Sequence, residues 1–125
     1  MRDLLFWLYL INALTLIVHE IDSAYWGEWE LFRLPGGVAG FLLLHFPLLF
    51  LVLYGLVLVE RGAFPGQIFS LMLSLAGILA FSIHTYFIRR GREEFTTPVS
   101  LSILWGTLLL SLAQLSVTLI TLANL

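Results

Sequence analysis

Four long apolar blocks, separated by short polar stretches, make up nearly the whole chain. They predict four membrane-spanning helices over residues 4–26, 38–59, 67–88 and 98–122. Within the blocks the polar residues are not scattered. Asn12, Thr15, His19, Asp22 and Trp26 recur at steps of three and four residues. So do Gln67, Ser70, Ser74, Gly77, Phe81 and His84, and then Ser100, Leu104, Thr107, Ser111, Gln114, Thr118 and Thr121. Such spacing gathers each set on one helical stripe. Lipid surrounds an isolated helix on every side, so a polar stripe must turn toward other helices. Small and hydroxyl-bearing stripes also let helix backbones approach closely. The expectation is an all-α, integral membrane four-helix bundle, with residues 1–125 forming a single transmembrane domain.

The breaks between blocks have their own chemistry. Residues 26–37 mix Trp26, Trp29 and Phe32 with Glu28, Glu30 and Arg33, and end in Leu34-Pro35-Gly36-Gly37. Aromatics interleaved with charge suit the headgroup layer, which predicts an interfacial link holding Glu28 and Glu30, with a lid or substrate-entry element as the alternative. Pro35 stops a helix, and the glycines permit the reversal into the second span. Pro47, inside that span, deprives the Leu43 carbonyl of its helical donor. Pro98 suits the first turn of the fourth span, with Thr96 or Thr97 as cap.

Composition agrees with the pattern. The chain is 60% hydrophobic and only 11% charged over its 125 residues, with a mean hydropathy of +1.00, which leaves no soluble domain to assign. The absence of cysteine removes disulfides, thiolate metal sites and cysteine nucleophiles. Arg2 and an apolar core give the first block some likeness to a signal peptide, but Asp3 and the lack of a small-x-small cleavage site favour a retained span. All six basic residues are arginines. Arg33, Arg89, Arg90 and Arg92 fall on the face of the first and third loops, and Arg2 and Arg61 on the face of the termini. The excess predicts cytoplasmic first and third loops with both termini outside. Nothing supplies the basic surface a nucleic acid would require.

Candidate chemistry comes from depth. His19, His45 and His84 lie one each in the first three spans, all toward the face of the first and third loops. Antiparallel neighbours bring residues at one depth together, and bundle interiors commonly build metal sites from facing helices. Three imidazoles with a carboxylate suit a divalent transition metal, zinc or iron. The expected metal ligands are His19, Asp22, His45 and His84. The expected acid, base or water-activating groups are His19, Glu20, His45 and His84. Arg89, Arg90 and Arg92 are placed to receive an anionic lipid headgroup. A second reading stands beside this one: the histidines pair structurally, and the chain is a non-catalytic subunit of a homo-oligomer or larger membrane complex. Haem is a weaker option, because no attachment motif is present. Nucleotide-binding loops, the zinc-protease His-Glu-x-x-His spacing and a serine elbow are all missing.

The run His19-Glu20-Ile21-Asp22, followed by Glu28-Trp29-Glu30 and Leu34-Pro35-Gly36, resembles the opening of a family of small bacterial four-span membrane proteins of uncharacterised function. That resemblance implies a bacterial inner-membrane location and no assigned activity. Four spans with intramembrane His and Glu also look like the emopamil-binding-protein superfamily. This is an analogy of fold, and no site residue carries across.

Overall fold

The computed structural model describes all residues from Met1 to Leu125. It is all-helical: α1 (Arg2–Tyr25), a single-turn α2 (Glu28–Leu31), α3 (Gly37–Glu60), α4 (Phe64–Arg89) and α5 (Pro98–Ala123). The four long helices are each long and apolar enough to cross a membrane, and together they form a four-helix bundle. Each packs against two neighbours, α1 against α3 and α5, and α4 against α3 and α5. α1 and α4 approach across the diagonal, whereas α3 and α5 do not meet.

The interior is the polar side of this molecule. Thirteen buried residues are polar or charged and eight are hydrophobic, while leucines and phenylalanines such as Leu43, Phe46 and Phe50 face outward. A soluble domain would show the reverse; in lipid the outward apolar surface is already solvated, and close packing with interhelical hydrogen bonds must hold the helices together. On α5, every member of the expected stripe except half-buried Thr121 is buried. On α4, Gln67, Ser70, Ser74, Gly77 and His84 are buried and Phe81 is half-buried. Gly77 is needed at its position, because a Cβ there would overlap the Ser111 side chain of α5.

The stripes meet in one network across the bundle. Asn12 Nδ2 donates to Gln114 Oε1 at 2.9 Å and to Ser111 Oγ at 3.1 Å. Gln114 Nε2 donates to the Ser70 carbonyl at 3.1 Å and to Ser70 Oγ at 2.9 Å, and Ser70 shares a 2.8 Å hydrogen bond with Thr118. Three helices are tied through side chains that would be costly to leave unpaired in lipid.

α3 is attached differently. Toward the face of the termini it packs closely: a Cβ at Gly55 would overlap Tyr9 and Phe69, and one at Gly66 would overlap the α3 backbone at Leu58 and Val59. Tyr9 also donates from its hydroxyl to the Val52 carbonyl at 2.8 Å. From Leu42 to Tyr54 no α3 residue is buried, and this stretch contains Pro47. The Pro35-Gly36-Gly37 corner forms as expected, with φ of +94° at Gly36 and +57° at Gly37, a conformation glycine adopts without steric cost.

The link departs from expectation. Rather than lying wholly at the surface, it turns at Gly27 (φ +65°) and directs Glu28 inward, where it is 7% exposed. Glu30 remains exposed. Trp29 packs on Phe41, and Phe32 packs on Phe87 and His84. The link is a cap on the bundle, stabilised by burial of these rings. Its one inward carboxylate lies close to His84.

Candidate metal centre

His19 sits on the buried face of α1, about 10 Å beyond Asn12 at about 1.5 Å per residue. It is 1% exposed, and neither Nδ1 nor Nε2 has a hydrogen-bond partner. A neutral imidazole carries one donor and one acceptor, so both capacities are left open in a site where such loss is expensive. The ring of His84, from α4, lies edge-on to it with centroids 4.6 Å apart.

The tautomer of His84 follows from its surroundings. Its Nδ1–H donates to the Ala80 carbonyl at 2.7 Å; a carbonyl only accepts, so in the neutral ring the lone pair is on Nε2. That nitrogen lies 3.2 Å from Glu28 Oε1. The distance suits an ion pair, yet Nε2 makes no aligned hydrogen bond. Two acceptors face each other, and a proton on Nε2 would not point well at the carboxylate. A cation held by both atoms would resolve the conflict. One ligand atom each from His19, Glu28 and His84 falls within 4.8 Å of the others. The 3.2 Å separation matches the edge of a tetrahedron, about 3.3 Å for metal–ligand bonds of about 2.0 Å. An Nδ1–H anchored on a backbone carbonyl is also the usual way a ligating histidine is oriented.

His45 takes part in a second arrangement. Its Nδ1–H donates to the Phe41 carbonyl at 2.7 Å, and Nε2 lies 2.6 Å from Glu20 Oε2. By the same count, Nε2 and the carboxylate share one proton, whichever atom carries it. Glu20 and His45 are thus a hydrogen-bonded acid–base dyad, and Phe41 stacks on the imidazole with centroids 3.9 Å apart. Glu28 also lies within 4.8 Å of this pair, so it stands between the dyad and the two buried histidines.

The expected set of three histidines with Asp22 therefore divides. His19 and His84 come together with Glu28, and His45 pairs with Glu20. Asp22 falls outside both groups: its Oδ1 accepts the Trp26 indole N–H at 3.0 Å, and Ser23 takes the buried position on α1. The helical period located the stripe, but a one-residue rotation decided which side chain faced inward. Sequence assigned Glu28 only to the interfacial link, because a link residue has no period from which to read its direction.

Phe95 was not singled out by any pattern. It is 1% exposed, adopts φ +67°, and sets its ring 4.4 Å from His84 and 5.8 Å from His19. A bulky residue in the left-handed region costs about 1–2 kcal/mol, and such strain tends to persist at functional sites. With Phe32, it closes the loop-side face of the histidine pair. The arginines of this loop are engaged elsewhere or exposed. Arg92 pairs with Glu94 at 2.8 Å, Arg90 lies over the Tyr86 ring, and Arg89 is exposed. Hydrogen bonding from its own backbone amide, and then from Arg92, holds the Glu94 carboxyl below the usual carboxylate range.

A family of unknown function, DUF6713, matches residues 5–121. The chain belongs to that family. The match covers His19, Glu20, Glu28, His45 and His84. No curated protein and no solved structure matches the chain.

Proposed function

We propose that this family member is a membrane metalloprotein in which His19, His84 and Glu28 hold one divalent transition metal, zinc or iron, beside the Glu20–His45 dyad. The observation that carries the reading is a fully buried His19 with both ring nitrogens unpartnered, set against the Nε2 lone pair of His84 and the carboxylate of Glu28. Two histidines and a carboxylate form a ligand set that commonly leaves a coordination position open.

Charge supports one ion. Glu28 brings one negative charge to the ligand set, Asp22 brings a second that acts on His19 from outside that set, and the dyad with its shared proton brings none, giving −2 around the site. No arginine lies within ion-pair distance of these carboxylates. Protonating both His19 and His84 would set two imidazolium rings 4.6 Å apart in a dry site, where like charges repel strongly. A single divalent cation neutralises the cluster with both rings neutral.

A bound ion of this kind supplies Lewis-acid polarisation of an oxygen ligand or activation of water. The chain supplies the rest. Phe95 and Phe32 exclude bulk water on the loop side, Ala80 and Phe41 carbonyls orient the two imidazoles, and the dyad takes up or delivers a proton at Glu20 Oε2 or His45 Nε2. We read the function as acid–base or metal-assisted chemistry on a lipid-like molecule within a bacterial cytoplasmic membrane. The arginine distribution supports termini outside and the first and third loops in the cytoplasm.

The test is elemental analysis of protein purified in mild detergent without affinity metals. The expected result is one zinc or iron per chain, lost in His19→Ala and Glu28→Gln and retained in Asp22→Asn. Wild-type protein free of metal after incubation with zinc or ferrous iron would sink the reading.

A further inference from the structure

A groove of about 250 Å³ runs along the bundle between α1, α3 and α4. Eleven of its thirteen lining residues are hydrophobic, and the two exceptions are Glu20 and His45. Both sit at one end with Ala80, while Tyr9, Val52 and Phe69 mark the other. From Tyr9 to Glu20 along α1 the length is about 16 Å at about 1.5 Å per residue.

Its construction is visible in the helix packing. α3 is pinned near Gly55, where Tyr9 and Phe69 leave no room for a Cβ. Toward the dyad it faces Ala76 and Ala80 of α4, whose small side chains do not fill the space beside Leu48 and Leu49. The result is a groove closed at Tyr9 and Phe69 and bounded at its other end by the dyad, whose 2.6 Å hydrogen bond joins α1 to α3. Its flank is the stretch of α3 with no buried residue, so it opens sideways to the hydrocarbon region. On the loop side, Phe95 and Phe32 close over the histidine pair. A molecule reaching the dyad along the groove therefore has an apolar path from the bilayer.

We propose that the groove binds a single-chain amphiphile taken laterally from the membrane, with its chain along Leu49, Met72 and Ala76 and an uncharged hydroxyl or carbonyl head at Glu20 and His45. A long-chain alcohol, aldehyde or ester has this form. The head assignment rests on the partners available: the dyad shares one proton and is neutral as a pair, and no arginine lies in ion-pair reach of it, so a carboxylate or phosphate head would meet no cationic side chain. The dyad both donates and accepts, which suits an oxygen that does the same. This inference names the substrate class for the site proposed above. The chain-binding part stands without the metal.

The experiment is photolabelling of the full chain in detergent by hexadecanol bearing a mid-chain diazirine, with peptides mapped by mass spectrometry and metal content measured in parallel. Labelling is expected on Leu48, Leu49, Met72 and Ala76, and unlabelled hexadecanol should compete at least ten-fold better than hexadecanoic acid at neutral pH. Ala76→Phe adds bulk at an exposed position of α4 and should abolish this labelling with metal content unchanged; Ala80→Val is the milder second variant. Labelling spread evenly over outward residues such as Leu43, Phe46 and Phe50, or unchanged in both variants, would overturn the groove assignment. Equal competition by the acid would overturn the head assignment. Groove labelling that persists in metal-free protein would separate this inference from failure of the metal reading.

Discussion

The middle of the bundle and its loop-side end contain similar amounts of buried polar chemistry and handle it in opposite ways. In the middle, Asn12, Ser70, Ser111, Gln114 and Thr118 exchange hydrogen bonds among themselves across three helices. At the loop side, His19, Asp22, Ser23 and His84 leave five of the seven unpartnered buried side-chain atoms. Buried polar groups in folded proteins are nearly always satisfied, so the first region is what helix association requires and the second demands a separate reason. A network that closes on itself is structural glue; the open one is where the proposed metal would bind.

The comparison makes predictions of opposite sign. The largest effect belongs to the closed region: Gly77→Val would force α4 from α5 at Ser111, with an overpacking cost of about 3 kcal/mol. Thermal unfolding in detergent should show a much lower midpoint, and an unchanged one would mean the helices are less tightly apposed than described. Stripping metal from wild type should remove about 2.7 kcal/mol at free metal 100-fold above Kd, read as a chelator-dependent fall in midpoint that His19→Leu lacks. Gln114→Leu removes the shared partner of Asn12 and Ser70, leaving them only Ser111 and Thr118, and should cost about 2 kcal/mol, with metal stoichiometry intact. His19→Leu runs the other way. Without metal it replaces two unsatisfied nitrogens by an apolar side chain and should stabilise the protein by about 1 kcal/mol; destabilisation of metal-free protein would show that His19 is structural after all. The smallest equilibrium effect is expected for Phe95→Gly, where relief of the left-handed backbone offsets lost ring burial. Its signature is kinetic, a faster release of metal to chelator than in wild type.

Much of the architecture was legible before any coordinates. Helix number and approximate bounds followed from the apolar blocks, since an apolar segment of that length has few other stable fates. On α5 the inward face followed from the three-and-four spacing, since Ser100, Leu104, Thr107, Ser111, Gln114 and Thr118 were all identified and all are buried; on α1 only Asn12 and His19 of the expected stripe are buried, and Thr15, Asp22 and Trp26 are half-buried. The shared depth of the histidines followed from counting along alternating spans. Pairing was less legible. Asp22 and Ser23 differ by one position and about 100°, too fine for a periodicity argument that carries no information about neighbouring rotation.

By itself, then, the sequence determined an all-helical membrane bundle, the polar interior and the end where its ionisable residues collect. Those are properties of each helix and of the solvent around it. Only the tertiary structure decided that Glu28 turns in while Glu30 stays out, that His45 meets Glu20 rather than the other histidines, and that Phe95 closes the site. The physical reason is that such contacts join separate elements. They depend on helix rotation, relative height and the path of two irregular connections, and none of these leaves a repeating mark along the chain.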